Sequence, residues 1–327
     1  MNAVTPLTTP TRSPMDWSVA QQFNLPISAE VTVPGFSQPG PMTPAIKPDY
    51  VFRREVLSDL LAWLKEGEGG DRDGLWISGP TGSGKSSVVR EVFARLNLDV
   101  MTVNARQRLE VADLIGHLTA IDGDVLFQPG PLTLCARHGW VLMIDEVDLM
   151  DPGELAGLNS VLDGSPLVIP ENSGEVVSLA PGFGVICTAN TGGNGDRSGL
   201  YVGTRRMNGA LLDRFSLMQV DYPTPEQEQA ILQQTCPVLP DAIRDKLIEV
   251  ANEIRRLFVG DADDVDPIEV TLSTRTLVRW ARKTGFFQDT PRPLQHALDR
   301  ALLLRAEPET RQAILGIVQR VFGEEAA

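Results

Sequence analysis

The run Gly79-Pro80-Thr81-Gly82-Ser83-Gly84-Lys85-Ser86 has the form G-x-x-x-x-G-K-S, and few patterns of its length constrain a fold so tightly. Glycines let the backbone turn its N–H groups inward around a phosphate, and a following helix N-terminus adds partial positive charge. The flanks match that requirement. Leu75-Trp76-Ile77-Ser78 precedes the run as a short apolar strand, and Val88, Val89, Val92, Phe93 and Leu96 follow it at helical spacing. The candidate contacts to a nucleoside triphosphate are therefore Gly79, Pro80, Thr81, Gly82, Ser83, Gly84, Lys85, Ser86 and Ser87. Lys85 would reach the outer phosphates, and the Ser86 hydroxyl would ligate Mg²⁺. An ordinary glycine turn would leave the strand before it and the helix after it unexplained.

Around this loop the apolar periodicity alternates between strand and helix. Strands are predicted at 75–78, 100–103, 140–145, 183–188 and 217–221, with helices between them, the pattern of a parallel α/β sheet. Two hairpins interrupt the alternation. One is predicted from 118–121 and 124–127 about Asp122-Gly123, the other from 167–169 and 175–179 about Glu171-Asn172-Ser173-Gly174. A helix is predicted over 50–64 ahead of the loop. After Pro223-Thr224-Pro225 only helices are predicted, at 226–235, 240–258, 274–284, 292–305 and 309–322, with the acidic stretch 260–266 as a solvated loop. The expected organisation is a proline-rich arm over 1–48, an α/β nucleotide-binding domain over 49–223 and a helical domain over 224–327. The arm holds nine prolines and is expected to be disordered over 1–15. Trp17, Phe23, Leu25, Val31, Val33 and Phe36 are too apolar for a mere tail, so the rest of it should pack on its own core or on a neighbour.

The net charge of −14 argues against a chain whose main task is to coat nucleic acid, and the 118–127 hairpin carries no lysine or arginine. Three cysteines and three histidines are scattered without metal-ligand spacing. No apolar run reaches membrane-spanning length and the N-terminus has no signal-like region, so a cytoplasmic protein is expected.

Chemistry is expected at the strand tips. Trp140-Val141-Leu142-Met143-Ile144 runs into Asp145-Glu146. Asp145 would hold Mg²⁺ opposite Ser86, and Glu146 would polarise the water that attacks the γ-phosphate. Val185-Ile186-Cys187-Thr188-Ala189 ends in Asn190, which could bond the phosphate or that water, or could simply open the glycine-rich turn that follows it. Arg214 in Leu211-Leu212-Asp213-Arg214-Phe215 and Arg275 in Ser273-Thr274-Arg275-Thr276 could stabilise charge on the transferring phosphoryl group, from this chain or a neighbour. A surface salt bridge is the other role open to each.

Taken in order, these motifs resemble those of AAA+ ATPases. Phe127-Gln128-Pro129-Gly130-Pro131-Leu132 resembles the MoxR-like branch, which carries a hairpin near the second helix. Several stretches resemble the AAA+ subunit of aerobic cobaltochelatase, the CobS type: Val33-Pro34-Gly35-Phe36, Pro48-Asp49-Tyr50-Val51-Phe52, Ala189-Asn190-Thr191 with Gly199-Leu200-Tyr201 and Gly203-Thr204, and Ser273-Thr274-Arg275-Thr276 with Trp280-Ala281. The resemblance implies a P-loop AAA+ module: a five-stranded parallel sheet flanked by helices, two hairpin insertions and an all-helical C-terminal lid. It implies ATP and Mg²⁺ as ligands and ATP hydrolysis as the activity. Asn190 then takes the sensor 1 role, Arg214 that of an arginine finger acting on a neighbour's nucleotide, and Arg275 that of sensor 2, while Tyr50, Val51 and Phe52 lie against the adenine. It further implies a ring, expected to be hexameric, that drives a partner of the von Willebrand A or CobT type. A cobalt chelatase motor and a nucleic-acid translocase are the other loads such an engine could serve.

Overall fold

The computed structural model describes residues 12–67, 73–121, 123–196, 201, 203–259 and 270–323. They fall into two compact units. The first takes the described residues within Met1–Lys47, Arg54–Gly79 and Lys85–Val220; the second takes those within Pro48–Arg53, Pro80–Gly84 and Asp221–Ala327.

In the first unit the arm forms β1 (Pro14–Ser18) and β2 (Thr32–Phe36), paired antiparallel, with a short helix Val19–Phe23 between them. Val19, Phe23 and Val33 are buried. The contacts are with the chain's own core. Asn97 Nδ2 donates to Phe36 O at 2.9 Å, and Gln22 donates to the Arg95 carbonyl. Arg12 forms a buried ion pair with Asp99, which also accepts from Met42 N at 2.9 Å and Thr43 Oγ1 at 3.1 Å. Of the segment expected to be disordered, residues 1–11 lie outside the described ones, whereas Pro14 and Met15 belong to β1.

The strands that follow are β3 (Gly74–Ser78), β4 (Val100–Asn104), the hairpin pair β5 (Gly116–Ile121) and β6 (Asp124–Pro129), β7 (Val141–Asp145), the second hairpin pair β8 (Leu167–Ile169) and β9 (Glu175–Val177), β10 (Gly184–Ala189) and β11 (Phe215–Gln219). Five of them make one parallel sheet in the order β11-β3-β10-β7-β4. Val141–Ile144 of β7 and all of β10 are buried, the continuous apolar run of strands covered on both faces. Helices Lys85–Leu96 and Pro131–His138 supply cover, and Trp76, Leu132, Leu142, Ile144 and Val185 belong to the core cluster. The register aligns the strand tips: Ala189 faces Ser78, and Asn104 faces Asp145. Both predicted hairpins form, although Asp122 of the first turn lies outside the described residues.

The first correction concerns a helix start. The helix predicted over 50–64 starts at Arg54 and ends at Glu66. Tyr50, Val51 and Phe52 stay non-helical and half-buried. Arg53 next to them donates to the Asp221 and Ser83 carbonyls at 2.6 and 3.1 Å, which holds this stretch out of the helix.

The second unit is helical. Helix Pro225–Thr235 opens with a capping box, Thr224 to Gln227, and a proline in its first turn. Helices Asp241–Val259, Thr274–Phe286, Pro293–Ala301 and Pro308–Phe322 follow, around buried Leu247, Ile254, Leu277, Trp280, Leu298 and Ile314. The helix predicted over 292–305 breaks at Leu302 (φ −143°, ψ −54°) and resumes as a single 3₁₀ turn, Leu303–Arg305. The 260–266 stretch lies outside the described residues. Among the described residues no helix is long and apolar enough to cross a membrane.

Candidate active site

In an open parallel sheet, ligands bind beyond the carboxyl ends of the strands. In the first unit the C-terminal tips of β3, β10 and β7 stand side by side and present Gly79, Asn190 and Asp145. Gly79 itself has φ +147°, and a Cβ there would collide with the Val220 carbonyl, so only glycine fits where the chain leaves β3.

Lys85 opens its helix with the side chain largely buried. Its Nζ donates to Gly79 O at 2.7 Å and to Asn190 Oδ1 at 3.2 Å. One residue on, Ser86 Oγ donates to Asp145 Oδ1 at 2.6 Å. Thr188 Oγ1 donates to the same carboxylate oxygen and accepts from Glu146 N at 3.1 Å. Thr188 thus locks the exit of β7 to β10. Glu146 has φ +58° and ψ +41°, the left-handed region that a residue with a Cβ enters only under tertiary constraint, and its side chain is exposed. Strained backbone of this kind concentrates at functional sites. Ser87 sits in the first turn of the Lys85 helix.

Asp148, which the motif reading passed over, lies directly behind Asn190. It is fully buried, and its Oδ2 accepts from Asn190 N at 2.8 Å, Thr191 N at 3.2 Å and Thr191 Oγ1 at 3.3 Å. Its Oδ1 is buried without a hydrogen-bond partner among the described residues. Burial pushes the Asp148 carboxyl above the ordinary carboxylate range, against the pull of the Asn190 and Thr191 bonds. The available signal was a charged residue set between Val147 and Leu149, where the local pattern is otherwise apolar.

Arg214 is not among this group. It follows the short helix Gly209–Leu212, and its guanidinium grips Asp163, with Nε to Oδ1 at 2.7 Å and Nη2 to Oδ2 at 2.9 Å, while Nη1 donates to Ala210 O at 2.6 Å. The two-pronged contact holds the Asp163 carboxyl below its usual range and raises the Arg214 guanidinium. Phe215 pairs with Gly74 and Gln219 with Ser78, so Arg214 stands at the amino edge of the sheet. Lys85 and Asp145 lie at the carboxyl edge, roughly 15 Å away along the strands.

In the second unit, Pro80–Gly84 packs on the start of helix Thr274–Phe286. A Cβ on Gly82 (φ +71°) would come within 2.5 Å of Ser273 Oγ and 3.7 Å of Arg275 Cβ. Tyr222 donates its hydroxyl to Thr81 O at 3.0 Å, and Ser83 Oγ is buried without a hydrogen-bond partner among the described residues. Ser273 caps that helix by accepting from Thr276 N at 3.3 Å. A buried ion pair fixes the cap from below. Glu228 holds Arg255 through both carboxylate oxygens at 2.7 and 2.9 Å, Arg255 Nε donates to Leu272 O at 2.9 Å, and Thr274 Oγ1 donates to Glu228 Oε1 at 2.8 Å. Arg275, next in line, is left exposed. The Tyr50 and Phe52 rings meet edge-on at 4.8 Å, and Asp49 accepts from Arg282 at 3.0 Å. In the CobS-like stretch around Tyr201, Gly199, Leu200 and Val202 lie outside the described residues.

Comparison with known proteins agrees with this layout. Residues 74–215 match the AAA domain of the dynein-related subfamily, and residues 228–321 match the CbbQ/NirQ/NorQ C-terminal domain. The chain is 29% identical to aerobic cobaltochelatase subunit CobS from Sinorhizobium sp over 94% of its length and 91% of that protein's. It is 32% identical to the denitrification regulatory protein NirQ of Stutzerimonas stutzeri, over 76% of this chain and 84% of NirQ. An uncharacterized protein of Staphylococcus haemolyticus is 30% identical over 76% of this chain and 90% of its own. With the phosphate-loop lysine, the paired carboxylates and the strand-tip asparagine gathered on one sheet, the chain belongs to the MoxR/CobS-like group of AAA+ ATPases and carries a C-terminal domain of the CbbQ/NirQ/NorQ type.

Proposed function

We propose that this ATPase is a cytoplasmic, Mg²⁺-dependent, ring-forming motor that remodels or drives a partner protein, one with a von Willebrand A-type module. The supporting observation is the convergence of Lys85, Ser86, Asp145, Glu146 and Asn190 at three adjacent strand tips. Within this reading Lys85 neutralises the outer phosphates and Asn190 senses the γ-phosphate. Glu146 takes the role of orienting the attacking water. The hydroxyl of Ser86 and the carboxylate of Asp145 lie 2.6 Å apart and are hard oxygen donors of the kind Mg²⁺ selects. They would hold the ion, which when bound offsets charge on the β- and γ-phosphate oxygens. Tyr50, Val51 and Phe52 serve as the adenine wall and Arg275 as sensor 2. Arg214 serves a neighbour's nucleotide, because its own sheet keeps it at the far edge. The functional domains follow as 1–48, 49–223 and 224–327.

A Glu146→Gln chain loaded with ATP and Mg²⁺ tests this reading. It should assemble into a ring, six subunits by native mass spectrometry, and retain a partner with a von Willebrand A-type module on affinity capture. A monomer that retains no protein would defeat the motor reading.

A second reading is favoured by the similarity to the CobS cobaltochelatase subunit over 94% of this chain. Here the motor powers cobalt insertion during cobalamin synthesis. Among the described residues no group of three or more His, Cys, Asp or Glu side chains gathers, so chelation would belong to the partner subunits. Reconstitution with active partner subunits should then give ATP-dependent cobalt insertion. A nucleic-acid translocase has less support, because the 118–127 hairpin carries no lysine or arginine; ATP turnover unaffected by DNA or RNA would dispose of it.

A further inference from the structure

Among the described residues of the first unit, Asp148 is the one fully buried acid that touches the candidate site without belonging to a nucleotide motif. Three donors converge on its Oδ2, two of them the consecutive backbone amides of Asn190 and Thr191. Asn190 lies just beyond β10, where no further ladder bond fixes its amide. The backbone of Asp148 is tied as well, since its carbonyl accepts from Arg205 N at 2.8 Å. The exit of β10 and the return at Arg205 are thereby fastened to a single residue of the turn after β7. Nearby bonds close the same loop: Met207 N donates to Gly193 O at 2.8 Å, and Asn194 bridges Arg206.

We infer that Asp148 is a positioning residue for ATP hydrolysis: it accepts from the Asn190 and Thr191 amides, and so aims the Asn190 side chain at Lys85 and at the γ-phosphate beyond it. The inference rests on the sensor role proposed above for Asn190. Burying a carboxylate is costly, and bonds from two backbone amides and one hydroxyl offset that cost here. An apolar residue would fill the space equally well but would leave both amides buried and unpaired. Asp148 Oδ1 is buried without a hydrogen-bond partner among the described residues, so the hydrogen bonding of the carboxylate runs through Oδ2. Asp148 touches no reacting atom. Its effect must pass through Asn190, and that makes it separable from a role in folding alone.

The test is a double-mutant cycle on the full-length chain at saturating ATP and Mg²⁺. Asn190→Ala should lower kcat about 30-fold, and Asp148→Ala about 20-fold with the ATP dissociation constant within about 3-fold of the parent. The double variant should match Asn190→Ala within about 2-fold, since there is no longer a side chain to aim. Asp148→Asn keeps the size and an acceptor oxygen but loses charge assistance, so it should lose about 3- to 10-fold, and that loss should also vanish in the Asn190→Ala background. Losses that multiply in either cycle, or parental kcat in folded Asp148→Ala, would overturn the inference. If Asp148→Ala does not fold, the Asp148→Asn cycle decides, and parental kcat there overturns it too. Parental kcat in Asn190→Ala would instead remove the sensor role itself.

Discussion

Glu146 and Arg214 are the side chains on which turnover should depend most steeply, and they differ in what surrounds them. Glu146 is exposed at a strand tip, free to meet water; Glu146→Gln keeps its size and should lower kcat at least about 100-fold while ATP binding stays within about 3-fold. Arg214 is occupied by Asp163. The Asp163 carboxyl titrates below its ordinary value of 3.8, so the stabilisation from the pair is fully present above that value and is lost only as pH falls through the lower folded value. The arginine side-chain N–H resonance of Arg214 should therefore stay unchanged from about pH 5 to about pH 8 and move on acidification below about pH 4. Asp163→Asn should produce the displaced resonance at neutral pH. Lys85, Ser86, Asp145, Glu146 and Asn190 were legible because each sits at a fixed distance from a glycine loop or a strand end. Asp148 was harder to read, because its one local signal is a charge between Val147 and Leu149, and the two amides that it clamps lie far along the chain at Asn190 and Thr191.

At the scale of elements, the two hairpins and the lid cap invite different measurements. Leu118 and Val125 are 52% and 68% exposed on the β5–β6 hairpin, so their packing supports little of the fold. Leu118→Ser with Val125→Ser should leave basal ATPase within about 2-fold and the melting temperature within about 2 °C. The helical second unit behaves oppositely. Glu228 and Arg255 are both buried, and Glu228→Ala strands a guanidinium beneath the cap of helix Thr274–Phe286. The expected loss is about 3–5 kcal/mol by urea unfolding, because an unpaired buried charge costs more than the pair contributes. The sheet strands were legible within a couple of residues, since buried parallel strands read as apolar runs. Helix starts were less so. Tyr50–Phe52 carries apolar residues at helical spacing, yet Arg53 commits that stretch to distant carbonyls that no local pattern announces. Leu302 likewise breaks a helix without a proline or glycine at its own position.

For the whole molecule, the position of Arg214 makes a prediction about assembly. If Arg214 acts on a neighbour's nucleotide as proposed, ATPase activity per chain should rise with protein concentration. Arg214→Ala should bind ATP normally and turn over about 10³-fold more slowly. Mixing it with Lys85→Ala should restore part of the rate, because the second chain offers an intact Arg214 to the first chain's intact nucleotide loop. Two inactive preparations that stay inactive together would refute action in trans. The engine could be read from sequence because phosphate chemistry demands particular residues at particular strand ends. Its load could not, since the exposed apolar hairpins specify a surface and no reaction.

The left-handed backbone at Glu146 has a consequence for how this protein could change over generations. Glycine there would relieve strain worth roughly 1 kcal/mol and remove the carboxylate in the same step. If Glu146 orients the attacking water as proposed, heat resistance and turnover pull position 146 in opposite directions. A population selected only for survival of the fold at high temperature would then accumulate robust, idle chains.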